Sequence, residues 1–207
     1  MGTWGVDIIS MSFSFTETQK EIGNAIYNAS RNADRKVLFL AAASNNKLND
    51  RYPVGYPARH KDVICVNSSA PGDERSTFSP TPQIPVRNFS VIGEHLSAAF
   101  PAKLNSGNFE KRQSGTSMAT AIMAGIAGLV VEFSRLVAVD ANVKDKDRLL
   151  TDRGMKAVFL RCMLNQETHM PGTYLHVKPW LLFDGAKNTN AQVIVRDIET
   201  ALDKEDQ

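Results

Sequence analysis

Lys36-Val37-Leu38-Phe39-Leu40-Ala41-Ala42-Ala43 sets seven apolar residues in a row. A run so short and continuous reads as a strand buried on both faces, as in a parallel sheet. Upstream, Val6 to Phe13 is a second apolar, β-branched run. Between the two, Thr18 and Glu21 make a capping box, and Ile22, Ala25, Ile26 and Ala29 follow on one helical face. Strand, helix and strand in this span form a βαβ unit, which predicts an α/β fold.

Downstream, residues 45–101 are rich in Pro, Gly and Ser, with short strands at Val63-Ile64-Cys65-Val66 and from Phe89 to Ile92. Long irregular connections of this kind usually carry binding surfaces. A helix containing Ser117 is expected to run to about Phe133. A charged loop, Asp145 to Asp152, then leads to an amphipathic helix with Met155, Val158, Phe159, Cys162 and Met163 on one face. Tyr174 to Phe183 reads as extended and aromatic-rich. Ile194, Ile198, Ala201 and Leu202 mark a last surface helix.

Composition narrows the function classes. The chain has 207 residues and a formal net charge of +2 from interspersed signs, with no Lys/Arg block that would suit nucleic acid or an acidic membrane. Cys65 and Cys162 are too sparse for a disulfide framework and lack metal spacing, so both read as small buried apolar residues. No stretch is expected to span a membrane, and no signal peptide is visible. The glycosylation triplets at Asn28, Asn67 and Asn88 read as chance occurrences.

The chemistry-bearing stretch is Gly115-Thr116-Ser117-Met118-Ala119-Thr120. Ala121, Ala124, Gly125, Ala127 and Gly128 follow it, small residues that let a helix lie close to its neighbours. A serine in the first turn of such a helix meets unpaired backbone N–H groups and the positive end of the dipole, which favour a developing oxyanion. Ser10-Met11-Ser12-Phe13 ends the first strand and Ala41-Ala42-Ala43-Ser44-Asn45 ends the second. All three segments belong to the rim where α/β sheets place their sites.

Together these segments resemble the subtilisin-like serine proteases. Val54-Gly55-Tyr56-Pro57, Arg75-Ser76-Thr77-Phe78-Ser79 and Phe100-Pro101 match loops of that family, in the family's order. The resemblance covers roughly residues 5 to 135. It implies a three-layer α/β domain with a mostly parallel sheet, a serine-type endopeptidase activity, and Ser117 as the acyl-forming nucleophile. It implies that Asn45 donates its side-chain amide to the oxyanion, beside the backbone N–H of Ser117. It further implies that Ser12, Phe13 and Ser14 pair with an extended peptide or protein substrate. Ala42, Ala43 and Ser44 would then wall the primary specificity pocket, with Gly55 near its floor, and Tyr56-Pro57 resembles a bond often cis in the family. No cofactor and no metal is read for this site.

Departures from the family pattern carry expectations of their own. Ser14 and Ser44 replace usual glycines, so a narrower pocket mouth is expected. Ala121-Ile122 replaces a usual Pro-His, and Ile92 a usual proline. Neither an Asp-Thr/Ser-Gly turn nor a His-Gly-Thr helix start occurs in the sequence. None of the four histidines, His60, His95, His169 and His176, precedes a glycine, and each reads as structural, His60 on a loop and His95 on a surface strand. The chain therefore reads as the C-terminal part of a peptidase domain (residues 1–135), lacking its N-terminal part. A C-terminal helical extension (residues 136–207) packs on or follows it. Without the Asp and His it is expected to be inactive alone, its first strand exposing an edge. The alternative is a non-catalytic remnant that binds extended peptides. An α/β-hydrolase esterase is disfavoured, because Ala119 stands where the Gly-x-Ser-x-Gly elbow needs glycine.

Overall fold

The computed structural model describes residues 5–46, 53–105, 107–136, 143–165, 172–184 and 190–204. Five parallel strands form the central sheet: β1 (Ile8–Met11), β2 (Leu38–Ala42), β3 (Ile64–Ser69), β4 (Asn88–Ile92) and β7 (Tyr174–His176), side by side in that order. Helix α1 (Lys20–Ser30) connects β1 to β2, which pair in parallel from Ile8 opposite Leu38 to Met11 opposite Ala41. The predicted βαβ unit is therefore present. An antiparallel pair, β5 (Leu96–Ala99) and β6 (Glu110–Gln113), leads into α2 (Thr116–Leu136). The chain closes with α3 (Asp152–Cys162), the one-turn α4 (Trp180–Phe183) and α5 (Ala191–Asp203).

The continuous apolar run of β2 follows from coverage of both faces. Leu38 and Leu40 point into a core with Met123, Ile126 and Val130 of α2, whereas Phe39 and Ala41 join Ile26 of α1 and Met11 in a second core. Because successive strand residues face opposite sides, both registers must be apolar. Helix α2 carries a buried stripe along its length, Ala119, Met123, Ile126, Ala127, Val130 and Val131, with small residues such as Ala121, Ala124, Gly125 and Gly128 between. At 21 residues and a mean hydropathy of 1.6 it is long and apolar enough to cross a membrane, contrary to the expectation that no stretch is. Its burial against β1, β2, β3 and β4 accounts for that composition as a core helix.

Helices α3 and α5 fill the same core. Met155, Val158 and Phe159 of α3 and Ile194, Ile198 and Leu202 of α5 are buried with the α2 side chains, and Phe159 meets Phe89 of β4 edge to face at 5.9 Å. Gly154 is required where the 3₁₀ turn Lys146–Leu150 crosses α3: a Cβ there would fall 2.1 Å from the Arg148 carbonyl oxygen.

Local details correct three expectations. Thr18 does not cap α1; the helix begins after Gln19, and the Thr18 hydroxyl lies 3.4 Å from an Arg59 guanidinium nitrogen instead. The segment Tyr174 to Phe183 is extended only to His176, and Pro179, with φ −61°, starts the turn of α4. His95 is not on a strand but in a positive-φ turn immediately before β5. The triplet residues Asn67 and Asn88 are buried, their amides bonded to backbone carbonyls, so neither offers a glycosylation site in the folded chain.

The Tyr56 hydroxyl is buried without a hydrogen-bond partner among the described residues, and a Cβ on Gly23 of α1 would lie 2.5 Å from it. Burial with no partner costs a hydroxyl its hydration. Tyr56→Phe is therefore expected to raise stability by about 1 kcal/mol in urea denaturation. A loss of stability would show that the hydroxyl has a partner.

Candidate active site

The ends of β1 and β2 and the start of α2 converge. Asp7, just before β1, holds Arg135 in the last turn of α2 at 2.7 Å, and Arg35 at 3.0 Å. Both guanidinium groups, Arg135 first, hold the Asp7 carboxyl below the usual carboxylate range. At the other end of the strand, the Ser12 hydroxyl donates to the Ser117 backbone carbonyl at 3.4 Å. The edge strand is thus tied to α2 at both ends.

Asn45 follows β2 and reaches the same helix start. Its Oδ1 accepts the Thr116 backbone N–H at 2.8 Å and the Thr116 hydroxyl at 2.9 Å. A backbone N–H can only donate, so the amide orientation is forced: oxygen toward Thr116, Nδ2 away from it. The Nδ2 lies 3.1 Å from where a Gly115 Cβ would be, so a side chain there would push the amide by a few tenths of an ångström. Asn45 serves α2 as a cap for an orphan first-turn N–H and presents two amide donors at the same place. The sequence reading missed this capping role, because nothing local links residues 71 apart.

The serine loop is fixed from beneath as well. The Gly93 carbonyl accepts the Gly115 N–H at 2.8 Å, and the Gly93 N–H donates to Ser69 O at 3.0 Å. A Cβ on Gly93 would meet the Ser68 hydroxyl at 2.4 Å and the Gly115 carbonyl oxygen at 2.9 Å, so glycine is needed for this approach. The motif Arg75 to Ser79 supports the same floor: Ser76 Oγ donates to Ser68 Oγ at 2.8 Å, and Ser79 Oγ donates to Ser68 O at 3.1 Å.

Ser14 lies against Gly55, since a Gly55 Cβ would fall 2.4 Å from its Oγ. The Gly55 N–H donates to Ala43 O at 2.7 Å, and Phe15 and Tyr56 exchange backbone hydrogen bonds at 2.8 Å each. The side chains of Ala42 and Ala43 are buried, so contact with a ligand there would go through backbone. Ser44 Oγ accepts the Asn46 N–H at 3.0 Å. Phe13 is half exposed. The Tyr56-Pro57 bond is cis.

Ser117 is partly exposed, and among the described residues no hydrogen bond engages its hydroxyl. The histidines are committed elsewhere. His60 Nδ1 accepts the Asp62 N–H at 3.2 Å beside Tyr56, and burial lowers its pKa despite nearby Asp62. His176 Nδ1 lies 2.8 Å from Ser90 Oγ across the β4–β7 pair, and burial likewise lowers its pKa. His95 is exposed beside Glu94. His169 lies outside the described residues. Burial pushes both Cys65 and Cys162 up to about 12, so neither is a thiolate near neutral pH.

A parallel sheet whose strand ends meet the first turn of a serine-bearing helix defines the class of α/β proteins that includes the subtilisin-type serine proteases. The chain belongs to the subtilase family, peptidase S8: that family's sequence profile matches residues 3–163. The thermostable alkaline protease of Halalkalibacterium halodurans is 34% identical over 124 residues, 59% of this chain and 30% of that protein. Thermitase of Thermoactinomyces vulgaris is 30% identical over 147 residues, 69% of this chain and 48% of that protein. The chain thus spans about a third to a half of the length of these relatives. In fold it is similar to a mutant of the protease domain of PatA (TM-score 0.62, 23% identity, 90% of this chain and 62% of that one). It is similar also to the PatG macrocyclase in complex with peptide (TM-score 0.64, 19% identity, 92% and 52%).

Proposed function

We propose that this chain carries the acyl-transfer half of a serine endopeptidase site, with Ser117 as nucleophile and Asn45 in the oxyanion hole. The observation that carries the reading is the Asn45 side chain. With Oδ1 occupied by both Thr116 donors, its Nδ2 is oriented before any substrate arrives. A preorganised neutral donor strengthens its bond as charge grows on the carbonyl oxygen and costs no reorganisation. In the reaction, Ser117 Oγ attacks the scissile carbonyl carbon and gives its proton to a base. The C–N bond breaks as that proton passes to the leaving amine, and water then hydrolyses the ester.

The base is the element that the 207 residues do not supply in the family's His-Gly-Thr form. On its own the chain is therefore inactive, and its capacity is to hold an extended peptide along Ser12, Phe13 and Ser14 by strand addition. This binding mode is the second reading, favoured by the same missing base. Ala42, Ala43, Ser44 and Gly55 would border the side chain next to the cut. Ser14 lies against Gly55, a narrowing that would favour small side chains next to the cut.

The test supplies a subtilase fragment bearing the Asp and His motifs in trans and measures cleavage of a peptide library. Ser117→Ala is expected to abolish cleavage, and Asn45→Ala to lower turnover by about 10²–10³. Products are expected to carry Gly, Ala or Ser next to the cut. Cleavage that persists in Ser117→Ala overturns the nucleophile assignment, and preference for aromatic residues overturns the narrow pocket.

A further inference from the structure

A cleft of about 410 Å³ opens where the loop after β2, strand β3 and the segment before β4 meet. Its floor is apolar: Val54, Ala58, Val63, Cys65 and Phe89. Its outer lip is Ile84 and Val86, 71% and 58% exposed, among the most exposed aliphatic side chains of the described residues. The lip is built rather than slack. Asn88 Oδ1 accepts the Gln83 N–H at 2.9 Å, and its Nδ2 donates to Gln83 O at 2.9 Å and Val86 O at 2.8 Å. A preformed apolar cleft of this size with a few polar groups at its mouth has the form of a small-molecule site.

The charge around it has one sign. Arg59, Lys61, Arg87 and Lys156 line the cleft beside the imidazole of His60, whose pKa burial lowers, and among the described residues no carboxylate does. Lys156 is held by Asp152 at 2.9 Å, and Arg59 donates to the Val54 and Thr16 carbonyls. Lys61 and Arg87 are exposed, and Lys61 lies 5.7 Å from the ring of Tyr27. The neighbouring Asp62 carboxylate is already bound by Arg31 at 2.7 Å, which, with Lys61 helping, holds it below the usual carboxylate range. Two cations at the mouth and hydrocarbon within match a molecule with one anionic end and an apolar body.

We propose that this cleft binds a long-chain carboxylate, with its hydrocarbon against Val63, Cys65 and Phe89 and its headgroup met by Lys61 and Arg87. The geometry disfavours a cationic amphiphile by repulsion, and an uncharged one gains no attraction from the two exposed cations. The site is independent of the peptidase reading, because it requires neither Ser117 nor a base.

The test is calorimetric titration of the full chain with dodecanoate below its micellar concentration, beside dodecanol and dodecyltrimethylammonium. Dodecanoate is expected to bind saturably at one site, and each of the other two about tenfold more weakly or worse. The double variant Lys61→Glu, Arg87→Glu is expected to lose about tenfold or more in affinity, and Ile84→Asp to weaken binding as well. All three positions are exposed, and far-UV circular dichroism checks that the variants fold. Lys61→Gln with Arg87→Gln replaces the double variant if it does not. Equal binding of the cationic amphiphile, or unchanged affinity in the charge variants, overturns the proposal. So does preference for an apolar peptide with a free C-terminal carboxylate over dodecanoate.

Discussion

Incubated at neutral pH with a fluorophosphonate, the 207-residue chain is expected to leave Ser117 unlabelled. Its peptidase turnover should lie about 10⁶ below that of a complete triad. The hydroxyl of a serine is almost wholly protonated near pH 7, and attack requires a base to take the proton as the bond forms. Among the described residues, no histidine or carboxylate hydrogen-bonds the Ser117 hydroxyl. His60 and His176 are occupied by Asp62 and Ser90, and both are held neutral by burial rather than aimed at the helix start. What remains of the proposed site is the Asn45 amide and the first-turn N–H groups of α2, which would stabilise an oxyanion that seldom forms. Mass spectrometry of the probe adduct is the measurement. Labelling of the chain alone, lost in Ser117→Ala, would show that a base is present in it. Labelling only with the Asp- and His-bearing fragment would support the division of labour proposed for the site.

Much of this architecture was legible in the sequence because the physics behind it is local. The apolar run at β2 is continuous since both its faces are covered, and the small residues of α2 announce close contact with four strands. Where the reading failed, a distant residue had intervened. Thr18 and Glu21 have the spacing of a capping box, yet Arg59, 41 residues on, draws in the Thr18 hydroxyl and the helix starts later. The aromatic segment after Tyr174 turns into α4 because Pro179 fixes a helical φ there. At the site the residue types were legible and their mutual support was not. Asn45 stood in its family motif at the position proposed here for the oxyanion donor. Its hold on Thr116, which gives the donor its direction, exists only once β2 and α2 are side by side. Ser14 over Gly55 is the same kind of fact, a substitution visible in sequence whose consequence depends on a loop 41 residues away.

Phe159→Ala is expected to lower the stability of the chain by about 3–5 kcal/mol, the range for deleting a buried aromatic ring from a core. Phe159 is fully buried on α3, edge to face with Phe89 of β4, and in one cluster with Met123 and Val130 of α2. Leu149, Met155 and Ile198 of the same cluster are themselves fully buried, so most of the volume of the deleted ring is expected to remain as a cavity. The position lies beyond residue 135, in the part read as a helical extension. If the extension merely followed the peptidase part, truncating Phe159 would soften α3 and α5 alone, and the sheet would melt separately at its own temperature. The shared core argues for a single transition, shifted down by about 10 °C for a loss of this size in a chain of this length. Calorimetry of the wild-type chain and the variant decides between them. Two transitions, or a loss below about 1 kcal/mol where a core phenylalanine should cost several times that, would establish residues 136–207 as a separately folding unit. One transition displaced as a whole would mean that α3 and α5 build the same face of the sheet that holds α2, and with it Ser117, in place.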